Sequence, residues 1–279
     1  MESAEPWFRL PNRPELHRQI NTLDPKDNPQ RHGAREQKKK AFMMNRRTFR
    51  LPAILLGVGL LSYVGVTFLH TGGPANDHEV IFGDYAHSND WALVHLAQFA
   101  GMAVMIAGLL ALQVALDLRT GAAGWLARLG AVSAAIALGL YGVLQAVDGV
   151  ALKQAVDAWV NAAEADKATR FASAEVVRWL EWGTRSYQSV TLGLALILLG
   201  AAVATSARLP RPIGYLMGLS GLAYLAQGWV LGVGGFATAN TVAILSSEIL
   251  MLSWILWLGL VASHAGPRVA RVVTAPRGR

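Results

Sequence analysis

Cysteine is absent from the chain. Disulfides, thiolate metal sites, iron–sulfur clusters and thiol nucleophiles are excluded with it. Charge is also scarce. Asp, Glu, Lys and Arg make up 15% of the 279 residues, against about 25% in soluble domains. No Walker loop, dinucleotide fingerprint or nucleophile elbow occurs. Seven histidines are present, and their placement does not supply ligands on both sides of a bundle for a pair of haems.

What is abundant is apolar: 53% of residues are hydrophobic. They gather into runs of about 20 residues or more, the length needed to cross a hydrocarbon core about 30 Å thick. The expected spans are Leu51–His70, Trp91–Leu118, Trp125–Val150, Ala174–Ser206, Ile213–Phe236 and Thr241–His264. This predicts an all-α polytopic membrane helix bundle with six transmembrane helices over 51–266. It is flanked by a basic cytoplasmic tail at 1–50 and another at 267–279.

The formal net charge is +7, but no nucleic-acid recognition motif accompanies it, so no nucleic-acid partner is expected. Excess Lys and Arg on cytoplasmic segments explains the charge. Arg46, Arg47, Arg50, Arg119, Arg128, Arg208, Arg211, Arg268 and Arg271 fall on one side of the predicted spans. Asp77, Glu79, Asp84, Asp90, Asp157, Glu164, Asp166 and Glu175 fall mostly without cations on the other. Both termini are therefore expected in the cytoplasm of a bacterial inner membrane. Lys38–Lys40 and Arg46–Arg47 would touch anionic lipid. Asn45–Phe49 resembles a twin-arginine signal. Without a small-residue cleavage site, and with five further spans to follow, it reads as a signal anchor. Met43 or Met44 is an alternative start.

Polar residues concentrate at one depth. Tyr141, Gln145 and Asp148 lie at i, i+4, i+7, and Glu181, Arg185 and Gln188 repeat that spacing. Each set forms one stripe on a helix. His95, Gln98, Gln227 and Glu248 fall in the same outer half. Ionisable groups within a bilayer are costly unless paired or hydrated. The candidate site is thus an outward-facing intramembrane cluster, with Arg185 pairing to Glu181 at i+4 or to Asp148 on the neighbouring span. Three uses stay open: binding or transport of a small solute or ion, helix–helix adhesion in an accessory subunit of a membrane complex, and metal or haem binding. For a metal, His70, His78, His87 and His95 with the acids of the first outer loop are the candidate ligands. For a b-type haem, His70 and His95 share a face. No cofactor is required by the sequence, and enzymatic activity is not indicated.

An 86-residue shift lays Gly142–Gly149 over Gly228–Gly235. This weak repeat points to a four-helix core of spans 2–5. Small-xxx-small pairs at Gly214 and Gly218, and at Gly228 and Gly232, favour close packing within a chain or in a homo-oligomer. The runs Gln145–Lys153, Asp157–Trp159 and Arg178–Gly183, with Gly193, resemble a pattern in uncharacterised bacterial six-helix membrane proteins. That resemblance covers about Leu51–Ala265 and implies the six-span topology, with no reaction attached.

Overall fold

The computed structural model describes residues 47–263. The expectations for the two basic tails fall outside them. The described chain is helical, in the order α1 Arg50–Thr67, α2 His78–Ala86, α3 Trp91–Leu116, α4 Gly121–Ala146, a π-helical turn Val147–Leu152, α5 Lys153–Val160, α6 Lys167–Thr205, α7 Arg211–Gly234 and α8 Thr238–Ser263. Six segments are long and apolar enough to cross a membrane: Arg47–Thr67, Trp91–Leu116, Gly121–Val160, Glu164–Thr205, Arg211–Gly234 and Thr238–Ser263. Large apolar side chains stand exposed on all six segments, among them Leu61, Leu96, Ile136, Tyr187, Trp229 and Ile249. A bundle that is apolar outside as well as inside belongs in lipid. The chain is a multi-pass membrane protein.

Packing follows chain order around a ring. The contacts run α1–α3, α3–α4, α4–α6, α6–α7 and α7–α8, and α8 returns to α1. Arg50 Nε donates to the Ala262 carbonyl at 3.2 Å and helps close the ring. Spans 1 and 6 are therefore full members of the bundle, not additions to a four-helix core of spans 2–5. Small residues explain this. Cβ atoms placed at Gly101 and Gly108 of α3 would lie 2.8 Å from the Tyr63 and Leu56 backbone nitrogens of α1, so these two helices meet backbone to backbone. The two halves of the 86-residue repeat also pack differently: α6–α7 is the tightest pair of the bundle and α3–α4 a loose one.

One end of the bundle carries a cap. The 39 residues of α6 span about 58 Å at 1.5 Å per residue, far more than the hydrocarbon core. Its first turns project beyond the bundle and pack with α5 and α2. Ile81, Phe82 and Tyr85 of α2 bury against Trp91, Leu152, Val156 and Ala174 in a second small core.

Helix α2 lies where the sequence reading placed only a hydrated loop. Nine residues do not hold a helix alone, but Ile81 and Phe82 are fully buried, and each contributes about 1.5–3 kcal/mol. Asp77 caps the helix, accepting from the Val80 N–H at 3.3 Å. Asp77→Ala is expected to lower stability by about 1 kcal/mol. Amide exchange should rise over 78–86 before the spans respond.

Candidate functional site

Between the cap and the ring lies a cavity of about 240 Å³. Its walls come from the end of α1, the α1–α2 loop, Tyr85 of α2, Gln98 of α3, Tyr141 of α4, Asp148 on the π-turn, three α6 side chains and Phe236. The loop is fastened across the top by Asn76. Its Nδ2 donates to the Gly234 carbonyl at 3.1 Å, and its Oδ1 accepts from the Phe236 N–H at 2.8 Å. Gly235 makes that turn with φ +64°, and a Cβ there would meet the Trp182 ring at 2.5 Å. Only glycine suits both constraints.

Two charged groups of α6 are fully buried. Arg178 (1% exposed) pairs with Glu181 (0%) one turn on. The Arg178 guanidinium also donates to the Ala75 carbonyl at 3.1 Å. It sits 4.9 Å from the Phe236 ring centre, with Tyr85 at 5.6 Å and Trp182 at 5.8 Å, a cage of aromatic faces around a cation. Burial pushes the Tyr85 phenol well above its ordinary range, against the pull of Arg178.

The expected Glu181–Arg185 and Asp148–Arg185 pairs do not form. Glu181 is taken by Arg178 at i−3. The Arg185 guanidinium also lies over the Phe236 ring, at 5.3 Å. It borders the cavity and has neither an ion pair nor a hydrogen bond among the described residues.

Asp148 is 5% exposed and belongs to the π-turn, an i→i+5 arrangement often found at functional sites. Its carbonyl accepts from Trp91 Nε1 at 3.0 Å. Its Oδ2 lies 3.2 Å from His95 Nε2. Gly149 makes room for this approach, since a Cβ there would touch the His95 Cβ at 2.8 Å. The His95 Nδ1 donates to the Trp91 carbonyl at 2.7 Å, and the His70 Nδ1 donates to the Thr71 carbonyl at 2.9 Å. The two imidazole centres are 5.0 Å apart, with the Trp91 ring 4.5 Å from His95 and 5.0 Å from His70. Burial pushes the His70 imidazole below its usual value, opposed by Asp148. One ligand atom from each of His70, His95 and Asp148 lies within 4.8 Å of the others, so this trio could hold a metal ion.

Gln98, Tyr141, Asp148, Glu181 and Arg185 line the cavity, and His95 stands directly behind Asp148. Gln98 donates to Thr67 Oγ1 at 3.2 Å. Gln145 instead lines an apolar groove of about 270 Å³ between α3 and α4. Gln188 and Gln227 are buried, and Glu248 is half-buried, all away from the cavity. The four-histidine metal set does not assemble. His78 Nδ1 meets Glu175 at 2.9 Å and the ring stacks on Phe82. His87 is exposed and donates to the Gly83 carbonyl. A porphyrin does not fit between His70 and His95. Two axial imidazoles need their rings on opposite sides of the macrocycle, and these stand 5.0 Å apart at 61°.

Sequence reasoning missed Arg178, Phe236 and the gathering of Asp148 with His70 and His95. Only Arg178 left a trace in the sequence, as the i−3 neighbour of Glu181.

No curated protein and no solved structure matches the chain. Residues 117–259, just over half of it, match a family described as a domain of unknown function (DUF4386). The matched segment includes Asp148, Arg178, Glu181, Arg185 and Phe236, while His70 and His95 precede it. This agrees with the resemblance to uncharacterised six-helix membrane proteins. The chain belongs to the DUF4386 family.

Proposed function

We propose that the protein binds a small solute carrying an anionic group, in a cavity that opens away from the cytoplasm of a bacterial inner membrane. Arg185 carries this reading: it is a half-buried guanidinium on the cavity wall, without an anionic partner among the described residues. A cation held below the surface of a membrane protein is costly unless it is paired or hydrated, and a planar fork suits a carboxylate or phosphate. The cavity volume of about 240 Å³ falls below the roughly 300–1,000 Å³ of drug-sized sites, which favours a small solute. The apolar remainder of the bundle argues for a binding or alternating site over an open pore. Arginine-rich short segments on the side opposite the cap support cytoplasmic termini, with the basic segment before Arg47 against anionic lipid.

The test is thermal unfolding of the full chain in detergent with succinate or inorganic phosphate at matched ionic strength. At least one anion should raise the midpoint, and Arg185→Ala should weaken its effect by about 10–100-fold, the worth of one charged hydrogen-bond partner. If neither anion shifts the wild type, or the variant responds equally, the reading fails. The Arg178–Glu181 pair supports a second reading, in which the cluster fastens α6 to the cap in a non-catalytic accessory subunit. A complex that co-purifies with the wild type and dissociates when residues 1–42 are deleted would favour it.

A further inference from the structure

We propose that His70, His95 and Asp148 form a binding site for one divalent transition-metal ion, with zinc the leading candidate and a coordination position open to the cavity. Three observations converge. The first is tautomeric. Each imidazole spends its Nδ1 hydrogen on a backbone carbonyl, Thr71 for His70 and Trp91 for His95. An imidazole that donates at Nδ1 keeps a lone pair at Nε2 in its neutral form. The same outer hydrogen bond orients metal-ligating histidines in general.

The second observation is spacing. Bonds of about 2.0–2.2 Å at a tetrahedral centre set neighbouring donors about 3.4 Å apart. His95 Nε2 and Asp148 Oδ2 are 3.2 Å apart, and one ligand atom from each of the three residues falls within 4.8 Å of the others. The third is an unmet need. Despite that proximity, neither His95 Nε2 nor Asp148 Oδ1 makes a hydrogen bond among the described residues, and both are buried. A buried polar atom is rarely left so. A cation between them satisfies both lone pairs at once.

The scaffold suits the task. His95 rides on α3, Asp148 on the π-turn, and His70 on the loop after α1. Trp91 ties them together, donating to the Asp148 carbonyl and packing against both imidazoles. His70 and Asp148 reach the cavity and His95 closes the site from behind, so three protein ligands leave a fourth position facing the solute space. Two imidazoles and one carboxylate are a borderline donor set that fits zinc, copper(II) and iron(II) better than calcium or magnesium. The competing reading is a plain His95–Asp148 ion pair joining α3 to the π-turn, with His70 a bystander.

The experiment uses the full chain, purified with a histidine-free tag, stripped with chelator and equilibrated with Zn²⁺ or Co²⁺ alone. Elemental analysis should find about one ion per chain, and Co²⁺ should show the visible absorption of a low-coordinate site. His70→Gln and His95→Gln should each weaken binding at least 100-fold, while His78→Gln and His87→Gln leave it unchanged. His70 is in a loop, so its variant tests the site even if His95→Gln fails to fold. No bound ion in the wild type overturns the proposal, and so does unchanged affinity in His70→Gln. No anionic solute enters the assay, so its outcome is independent of the Arg185 reading.

Discussion

Arg178→Met is expected to be among the most damaging single substitutions in the protein, at about 3–5 kcal/mol. The reason is the carboxylate left behind. Glu181 is fully buried and its Oε1 already lacks a hydrogen-bond partner among the described residues. Without the guanidinium, its other oxygen loses its partner as well. The cap loses a tie too, because Arg178 is what holds the Ala75 carbonyl. The double variant Arg178→Met, Glu181→Leu removes both charges and keeps the volume, so it should recover most of the loss. Thermal unfolding of the wild type, both single variants and the double variant in one detergent makes the comparison. Recovery would show that the pair costs about as much to bury as it returns. Continued instability would assign the defect to the lost loop contact and the emptied aromatic cage. A harmless single variant would mean that water reaches Glu181 freely.

The second large effect is expected at the α6–α7 crossing. A Cβ at Gly193 would lie 2.6 Å from the Gly221 carbonyl oxygen, and one at Gly221 would lie 2.5 Å from the Gly193 carbonyl oxygen. Seven residues along, a Cβ at Gly200 would sit 2.6 Å from the Gly214 oxygen. The two helices touch through bare backbone at two levels, and backbone cannot rotate aside as a side chain can. Gly221→Leu should therefore cost about 3 kcal/mol or more, the upper end for overpacking, with little folded protein recovered from membranes. Gly218→Ala is the internal control. Nothing lies within 4 Å of its Cβ position, so it should be neutral or gain up to about 1 kcal/mol from helix propensity. Equal behaviour of the two variants would mean that α6 and α7 are separated in the membrane.

The Gly214–Gly218 pair also shows what the sequence could disclose. It identified two small residues on one face of α7, but only Gly214 aims its Cβ position into α6, while Gly218 presents its backbone nitrogen to Gly200 and leaves its Cβ position open, because the crossing register depends on the partner helix. The six spans were legible because length and hydropathy are properties of one segment at a time. That Asp148, Glu181 and Arg185 fall at one level of the bundle, lining one cavity, was legible for the same reason, from the rise per residue. Partnership was not. Arg185 appeared equally able to meet Glu181 or Asp148, but Glu181 pairs with Arg178 and the Arg185 guanidinium lies over Phe236, a residue of the α7–α8 turn more than fifty positions away. The histidines misled in a similar way. His78 and His87 are close in sequence to His70, yet α2 carries them off, and the carboxylate beside His95 and near His70 comes from the π-turn after α4. Helix α2 itself had a readable start in Asp77 three residues before Val80, obscured by the acidic, glycine-flanked composition around it. No sequence pattern announced the π-turn.

That turn gives the protein a dependence on chain length as distinct from residue identity. Six residues, Val147–Leu152, take the wider i→i+5 path between two stretches of ordinary helix. Over those six residues the wider path turns about as far as five do in regular helix, so the turn absorbs one extra residue. Straightening it with all six kept would swing everything beyond it by about 100° relative to α4, and Val156, now buried in the cap, would turn outward. Excising one residue along with the turn would instead leave α5 in its seat, so the meeting of ring and cap depends on the residue count matching the winding.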